Sequence, residues 1–134
     1  MERSSKPTKP LLLVVNPKSG KGTAKYNLYD IISLLSYKGF DVTVYPTRRT
    51  GTAQYIAKNI NKYNRVVCCG GDGTLSEVLA GAAYSNSKVP VGLIPLGSTN
   101  DFAKNMHIPK NTVIATLIAA GHKFIDYDIG TLNG

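Results

Sequence analysis

The sequence predicts a three-layer αβα fold on a mostly parallel sheet. Short apolar runs recur without interruption at Leu11–Val15, Val66–Cys69 and Val91–Ile94. Runs apolar at consecutive positions suit strands covered on both faces. Segments with helical spacing lie between them, so strand and helix alternate, and right-handed crossovers put helices on both sides of the sheet. Polar, glycine-bearing loops follow the strands at 16–22, 70–74 and 95–101. All three fall on one edge of such a sheet, outside the carboxyl ends of its strands, where ligands bind.

Residues 1–10 are polar and proline-bearing and are expected to be a frayed leader; residues 11–134 form one domain. The run Leu11–Val15 ends at Asn16-Pro17. The turn Asn16-Pro17-Lys18-Ser19-Gly20-Lys21-Gly22-Thr23 resembles a phosphate loop without being a Walker A sequence, because Val15 stands where its first glycine belongs. Asn16 at the strand end, N–H groups near Ser19 and Gly20, and a lysine can together hold a nucleotide phosphate. Taken alone, a plain βα connection fits equally well.

Leu28, Ile31, Ile32, Leu34 and Leu35 form a helical stripe over 23–38, with Gly39 as its stop. Asp41–Tyr45 alternates as a strand does. Residues 46–51 form a loop holding Thr47, Arg48 and Arg49. Ile56 and Ile60 mark a second, more polar helix over 52–63, with Tyr55 and Tyr63 as packing residues. After Val66–Cys69 a helix is expected to reach Tyr84, with Ala80-Gly81-Ala82-Ala83 small enough to lie close against the sheet. The strand Val91–Ile94 leads into Pro95-Leu96-Gly97-Ser98-Thr99-Asn100-Asp101-Phe102-Ala103-Lys104, a turn dense in polar residues that opens a short helix. An apolar helix over 113–120 closes at Gly121, and a last strand is expected near Phe124–Ile129. His107 and His122 have no partners at ligand spacing and are expected at the surface.

The densest chemistry lies in Gly70-Gly71-Asp72-Gly73-Thr74-Leu75-Ser76-Glu77. Glycines at 70, 71 and 73 permit positive φ and let a ligand reach the backbone. Thr74 or Asp72 is expected to cap the helix that follows, whose N-terminal dipole and free N–H groups favour phosphate. Asp72 would repel a bare phosphate, so it is expected to meet one through Mg²⁺ or to act on a hydroxyl.

Composition removes several classes. Hydrophobic content of 43% with 18% charged residues is that of a globular domain. No apolar run approaches the roughly 20 residues of a membrane span, and the start lacks a signal-peptide core. Cys68 and Cys69 are strand neighbours pointing to opposite faces; they cannot pair with each other, and as buried thiols they point to a reducing cytoplasm. A net charge of +8 suits nucleic acid, an anionic membrane surface or polyphosphate. The basic residues are dispersed, no helix has the character of a basic recognition helix, and aromatics are not interleaved, so no nucleic-acid partner is expected.

At Asn16–Gly20, Gly70–Glu77 and Pro95–Ala103 the chain resembles the catalytic domain of diacylglycerol kinases and related bacterial lipid kinases. The Gly-Gly-Asp-Gly element is shared with NAD kinases and phosphofructokinases, whereas the 95–103 stretch is more specific to lipid kinases. The resemblance implies a Rossmann-like, phosphofructokinase-like nucleotide-binding domain. It also implies ATP with Mg²⁺, and transfer to a lipid hydroxyl, of diacylglycerol, sphingosine or a related lipid. By motif, Asn16, Pro17, Lys18, Ser19 and Gly20 would contact the nucleotide. So would Thr47, four residues before Gly51. Gly70, Gly71, Asp72, Gly73, Thr74, Leu75 and Ser76 would cradle the phosphates, joined by Ser98, which stands where the family often has threonine. Asp72 is the catalytic candidate, and Glu77 matches an acidic position of the family. No metal ligand is assigned to this half. The family pairs this domain with a second, β-rich one that carries further metal and acid/base residues, and the chain stops near where it would begin. Ser76 replaces a common asparagine and can still hydrogen-bond. The implied setting is a cytoplasmic enzyme held peripherally on an anionic membrane, with a homodimer left open. An NAD kinase-like phosphotransferase and a non-catalytic nucleotide-binding module are the alternatives.

Overall fold

The computed structural model describes residues 8–19, 24–97 and 99–122. In chain order the elements are β1 (Lys9–Val15), α1 (Ala24–Tyr37), β2 (Phe40–Pro46), α2 (Thr52–Asn59), a 3₁₀ turn (Ile60–Lys62), β3 (Arg65–Gly70), α3 (Asp72–Tyr84), β4 (Val91–Pro95), α4 (Asp101–Asn105) and α5 (Thr112–Ala119). The four strands form one parallel sheet in the order β2-β1-β3-β4. The expected αβα architecture is thus present. The strand expected near 124–129, Gly20 and Ser98 lie outside the described residues.

The period of two along the strands divides the core into two layers. Leu11, Leu13, Val15, Val67, Cys69 and Ile94 face Ile31 and Leu35 of α1 and Ala115 and Ala119 of α5. Leu12, Val14, Val66, Cys68 and Leu93 face Ile56 of α2, Ile60 of the turn after it, and Leu75, Val78 and Ala82 of α3. The helices pair accordingly, α1 with α5 and α2 with α3. This assignment follows from handedness. The chain moves outward from β1 to β2 and the opposite way from β3 to β4, so right-handed crossovers must use opposite faces. The direction reverses between β1 and β3, the central strands, and that is where such sheets open a crevice at their carboxyl edge.

Two local details differ from expectation, and a third had no counterpart in the sequence reading. The helix expected over 52–63 tightens into a 3₁₀ turn after Asn59, whose side-chain Nδ2 donates to the Tyr55 carbonyl at 2.9 Å and competes with the helical ladder. The small residues of α3 serve α2 as well as the sheet. A Cβ on Gly81 would lie 2.5 Å from the Ala53 carbonyl oxygen and 2.7 Å from Ile56 Cβ, while Ala82 packs toward the strands. The close helix–sheet approach occurs on the other face, where a Cβ on Gly92 would sit 3.1 Å from Ala119 Cβ. The third detail is Arg65, inside β3 and only 6% exposed. Its Nη1 donates to the carbonyls of Ala119 at 2.9 Å and Gly121 at 2.8 Å, and its guanidinium lies 4.9 Å from the centre of the Phe40 ring. The cation thus sits on the negative end of α5. Tyr55 packs as expected, stacked on Tyr45 at 3.9 Å.

Both thiols are buried, one in each layer. Burial pushes Cys69 up to about 12. Burial also raises Cys68, with smaller contributions from the neighbouring Cys69 and Glu77 charges. Unfolded thiols titrate near about 8.5. The native state therefore holds protons that the unfolded chain releases, and this contribution to stability is intact below about pH 8.5 and declines as pH rises toward the native values. Urea midpoints from pH 8 to 10.5 are expected to fall faster for the wild type than for a Cys68→Ala/Cys69→Ala chain. Parallel slopes would contradict the burial of the thiols.

Candidate nucleotide site at the carboxyl edge

The loops after β1, β3 and β4 meet at the carboxyl edge of the sheet. Asn16 leaves β1 by donating its backbone N–H to the Cys69 carbonyl at 3.1 Å. Its side chain then organises the first loop. Oδ1 accepts from the Lys18 N–H at 2.9 Å, Nδ2 reaches Thr74 Oγ1 at 3.3 Å, and its carbonyl accepts from the Ser19 N–H at 3.0 Å. Ser19 and Thr74 are both buried, at 7% and 6% exposure. They close over Gly70, where an added Cβ would lie 3.0 Å from Thr74 Oγ1 and 3.1 Å from Ser19 Oγ. Asn16, Ser19, Gly70 and Thr74 thus form one knot joining the first two loops. Pro17 and Lys18 are exposed beside it.

The third loop presses on the second. The Leu96 N–H donates to the Gly70 carbonyl at 2.9 Å. A Cβ on Gly97 would lie 2.6 Å from Gly71 Cα, and one on Gly71 would lie 3.2 Å from Gly97 Cα. Gly97 has no room for a Cβ and Gly71 has little, because the two backbones touch.

Asp72 takes a place that sequence reasoning did not give it. The cap of α3 is Gly71, without a side-chain hydrogen bond, so neither Asp72 nor Thr74 caps that helix. Asp72 is instead the first residue of α3, and its carboxylate crosses to α4. Oδ2 accepts from the Asp101 N–H at 2.8 Å and Oδ1 from the Phe102 N–H at 3.1 Å. A helix of five residues cannot satisfy its own N-terminal donors, and a carboxylate at its positive end is the strongest partner available. Thr74 fails as a cap for a related reason, since its hydroxyl is turned inward to Asn16.

The other expected site residues are placed unevenly. Gly73 is exposed, and among the described residues nothing lies within 4 Å of where its Cβ would be. Ser76 and Glu77 are exposed on α3. Leu75 is a core residue at 4% exposure, and its N–H bonds the Gly71 carbonyl, so neither its side chain nor its amide faces the edge. Thr47 is half-buried past the end of the outer strand β2, its N–H donating to the Val15 carbonyl at 2.8 Å. Arg48 and Arg49 lie exposed on the same loop.

One shaping residue was missed. Asn100 is 5% exposed, adopts left-handed backbone (φ 55°, ψ 49°), and holds Gly97 twice. Its Oδ1 accepts from the Gly97 N–H at 2.9 Å and its Nδ2 donates to the Gly97 carbonyl at 2.8 Å. The available signal was an asparagine, one of the few residues at ease in that conformation, at the end of a glycine-containing turn.

What the edge can do follows from these placements. The N-terminus of α3 carries no side-chain cap, and no described residue crowds the Cβ position of Gly73. Such an end can take a phosphate, with the Lys18 charge near the first loop. Among the described residues no three His, Cys, Asp or Glu side chains gather as a metal cage. A divalent ion that arrives with phosphates needs only one or two carboxylates from the protein.

Comparison with known proteins agrees with this geometry. Residues 10–132 match the family model described as the diacylglycerol kinase catalytic domain. The chain is 34% identical over 123 residues to a diacylglycerol kinase of Staphylococcus haemolyticus, covering 90% of this chain and 37% of that protein. It is 36% identical over 124 residues to one of Staphylococcus saprophyticus, covering 90% of this chain and 40% of the relative. A crystal structure of a diacylglycerol kinase from Bacillus anthracis superposes with a TM-score of 0.73 at 31% identity, over 88% of this chain and 42% of that one. The chain therefore spans about two fifths of the length of the relatives it matches. A parallel sheet with three interlocked loops at its carboxyl edge, matched along nearly its whole length, places the chain in the diacylglycerol kinase catalytic-domain family.

Proposed function

We propose that this chain is the nucleotide-binding half of a lipid kinase that moves the γ-phosphoryl group of ATP to the hydroxyl of diacylglycerol or a related lipid. The observation that carries the proposal is the convergence of the three loops around an α3 N-terminus left open by its glycine cap. In this reading the N–H groups of Gly73 and Thr74 hold phosphate oxygens, and Asn16 and Ser19 keep the first loop in register with them. Lys18 and the loop bearing Thr47, Arg48 and Arg49 add positive charge along the nucleotide. Mg²⁺, carried in with ATP, supplies charge neutralisation during transfer. Asp72 lies at the reacting end of the cradle, where it can orient the incoming hydroxyl or a proton leaving it. A further domain in a longer polypeptide completes the cleft on the lipid side. The basic surface holds the enzyme peripherally on a cytoplasmic anionic membrane, where its substrate resides.

Titration of the ¹⁵N-labelled chain with Mg·ATP tests this. Amide shifts are expected to cluster at Lys18–Ser19, Gly70–Thr74 and Leu96–Gly97, and to be small on α5. Absence of shifts at millimolar Mg·ATP would sink the preformed site. Acceptor choice is then read with a longer relative-length polypeptide, offering diacylglycerol, sphingosine and NAD; phosphorylation of NAD alone would replace the lipid reading.

A further inference from the structure

We infer that Asn100 is a positioning residue, holding the Asp72 carboxylate at the carboxyl edge through the third loop. The inference rests on the nucleotide reading above for its consequence, but not for its geometry. Asn100 sits immediately before the two N–H groups that Asp72 accepts, those of Asp101 and Phe102. Where those donors point is set by the backbone at Asn100, and that backbone is left-handed. The conformation costs a non-glycine residue energy and persists when something over-determines it. Here the side-chain amide does so, bonding both the N–H and the carbonyl of Gly97. Gly97 in turn is seated against Gly71, the residue before Asp72. The path closes on itself: Asn100 fixes Gly97, Gly97 meets Gly71, and Asp72 returns to the amides following Asn100.

The chemistry at Asn100 is specific. One acceptor and one donor must lie side by side at short reach, which an asparagine amide supplies. Aspartate keeps the shape and the tolerance for left-handed backbone, but it has no donor for the Gly97 carbonyl and sets a carboxylate oxygen against it. Glycine keeps the backbone and loses both bonds.

The test uses the 134-residue chain with Asn100→Asp and Asn100→Gly, and Asn86→Asp as a control. Asn86 has nearly the same backbone angle (φ 52°) but lies after α3, away from the edge. Amide hydrogen-exchange protection is measured at Gly97, Asp101 and Phe102, with Leu13 and Val67 as sheet references, alongside the Mg·ATP affinity. Both Asn100 variants are expected to lose protection at Asp101 and Phe102 by tenfold or more, with the sheet amides unchanged, and to bind Mg·ATP at least tenfold more weakly. The Asn86 control is expected to behave as wild type in both measurements. Unchanged protection at Asp101 and Phe102 overturns the inference. Lost protection with unchanged affinity shows a clasp without a role at the nucleotide site, which also overturns it. A wild-type chain that does not bind Mg·ATP removes the nucleotide reading instead, and the exchange data then still decide whether Asn100 holds Asp72.

Discussion

Replacing Gly97 by alanine is expected to cripple the carboxyl edge while the sheet stays folded. The added methyl would lie 2.6 Å from Gly71 Cα and 2.9 Å from Asn100 Oδ1. The first neighbour is backbone and cannot rotate away, so the second and third loops must separate. Overpacking of this kind costs about 1–3 kcal/mol of stability. Under the proposed function the loss of activity is larger, because moving the proposed phosphate cradle or Asp72 by about 1 Å can cost about 100-fold in rate. Single-turnover phosphoryl transfer by a longer polypeptide carrying Gly97→Ala is the measurement, with thermal unfolding of the same protein as its companion. Gly73→Ala makes a useful contrast, since no described residue stands within 4 Å of that position and stability should be kept. Wild-type transfer by the Gly97 variant would mean that the loops do not touch as described.

Phe40→Ala is expected to cause the largest loss of stability. The ring is 4% exposed at the start of β2 and packs in the layer under α1 and α5. Truncating a buried phenylalanine costs about 3–5 kcal/mol. It also takes away the face that lies under the Arg65 guanidinium, a cation–π contact worth about 1–2 kcal/mol when shielded from water. Burial lowers the Arg65 pKa by desolvation, yet the guanidinium stays charged, so losing the ring leaves a buried cation with one partner fewer. A domain of this size has about 5–15 kcal/mol in total, so the variant should be near its limit at 37 °C. Phe40→Leu should cost only about 1–2 kcal/mol, because most of the volume stays. Urea denaturation at constant m-value separates the two; equal losses would mean that packing at Phe40 contributes little.

The strands and long helices could be read from the sequence because each rests on a local signal. Leu11–Val15 and Val66–Cys69 are apolar on both faces since helices cover both, and Gly39, with φ at 98°, stops α1 in the conformation glycine tolerates. The three edge loops were legible for the same reason: each strand ends where polar and glycine residues begin. What could not be read were bonds between residues distant along the chain. The carbonyls that Arg65 meets lie at the end of α5 and just past it, more than fifty residues away, so the sequence offers no local partner for this cation. Asp72 looked like a cap for the helix it begins. The α4 amides it serves come about thirty residues later, and only the meeting of Gly71 with Gly97 brings them within reach. Leu75 inherited a place in the cradle from its motif, while its apolar side chain obeyed the core instead.

The two adjacent cysteines have a practical consequence. Because Cys68 lies under α2 and α3 and Cys69 under α1 and α5, each thiol can be alkylated only when its own layer lifts from the sheet. Neighbours in sequence thus become independent reporters of opposite sides of the molecule. Alkylation at matched rates would signify that both layers open in one global event. A faster rate at one position would identify the layer that detaches first, without any label foreign to the chain.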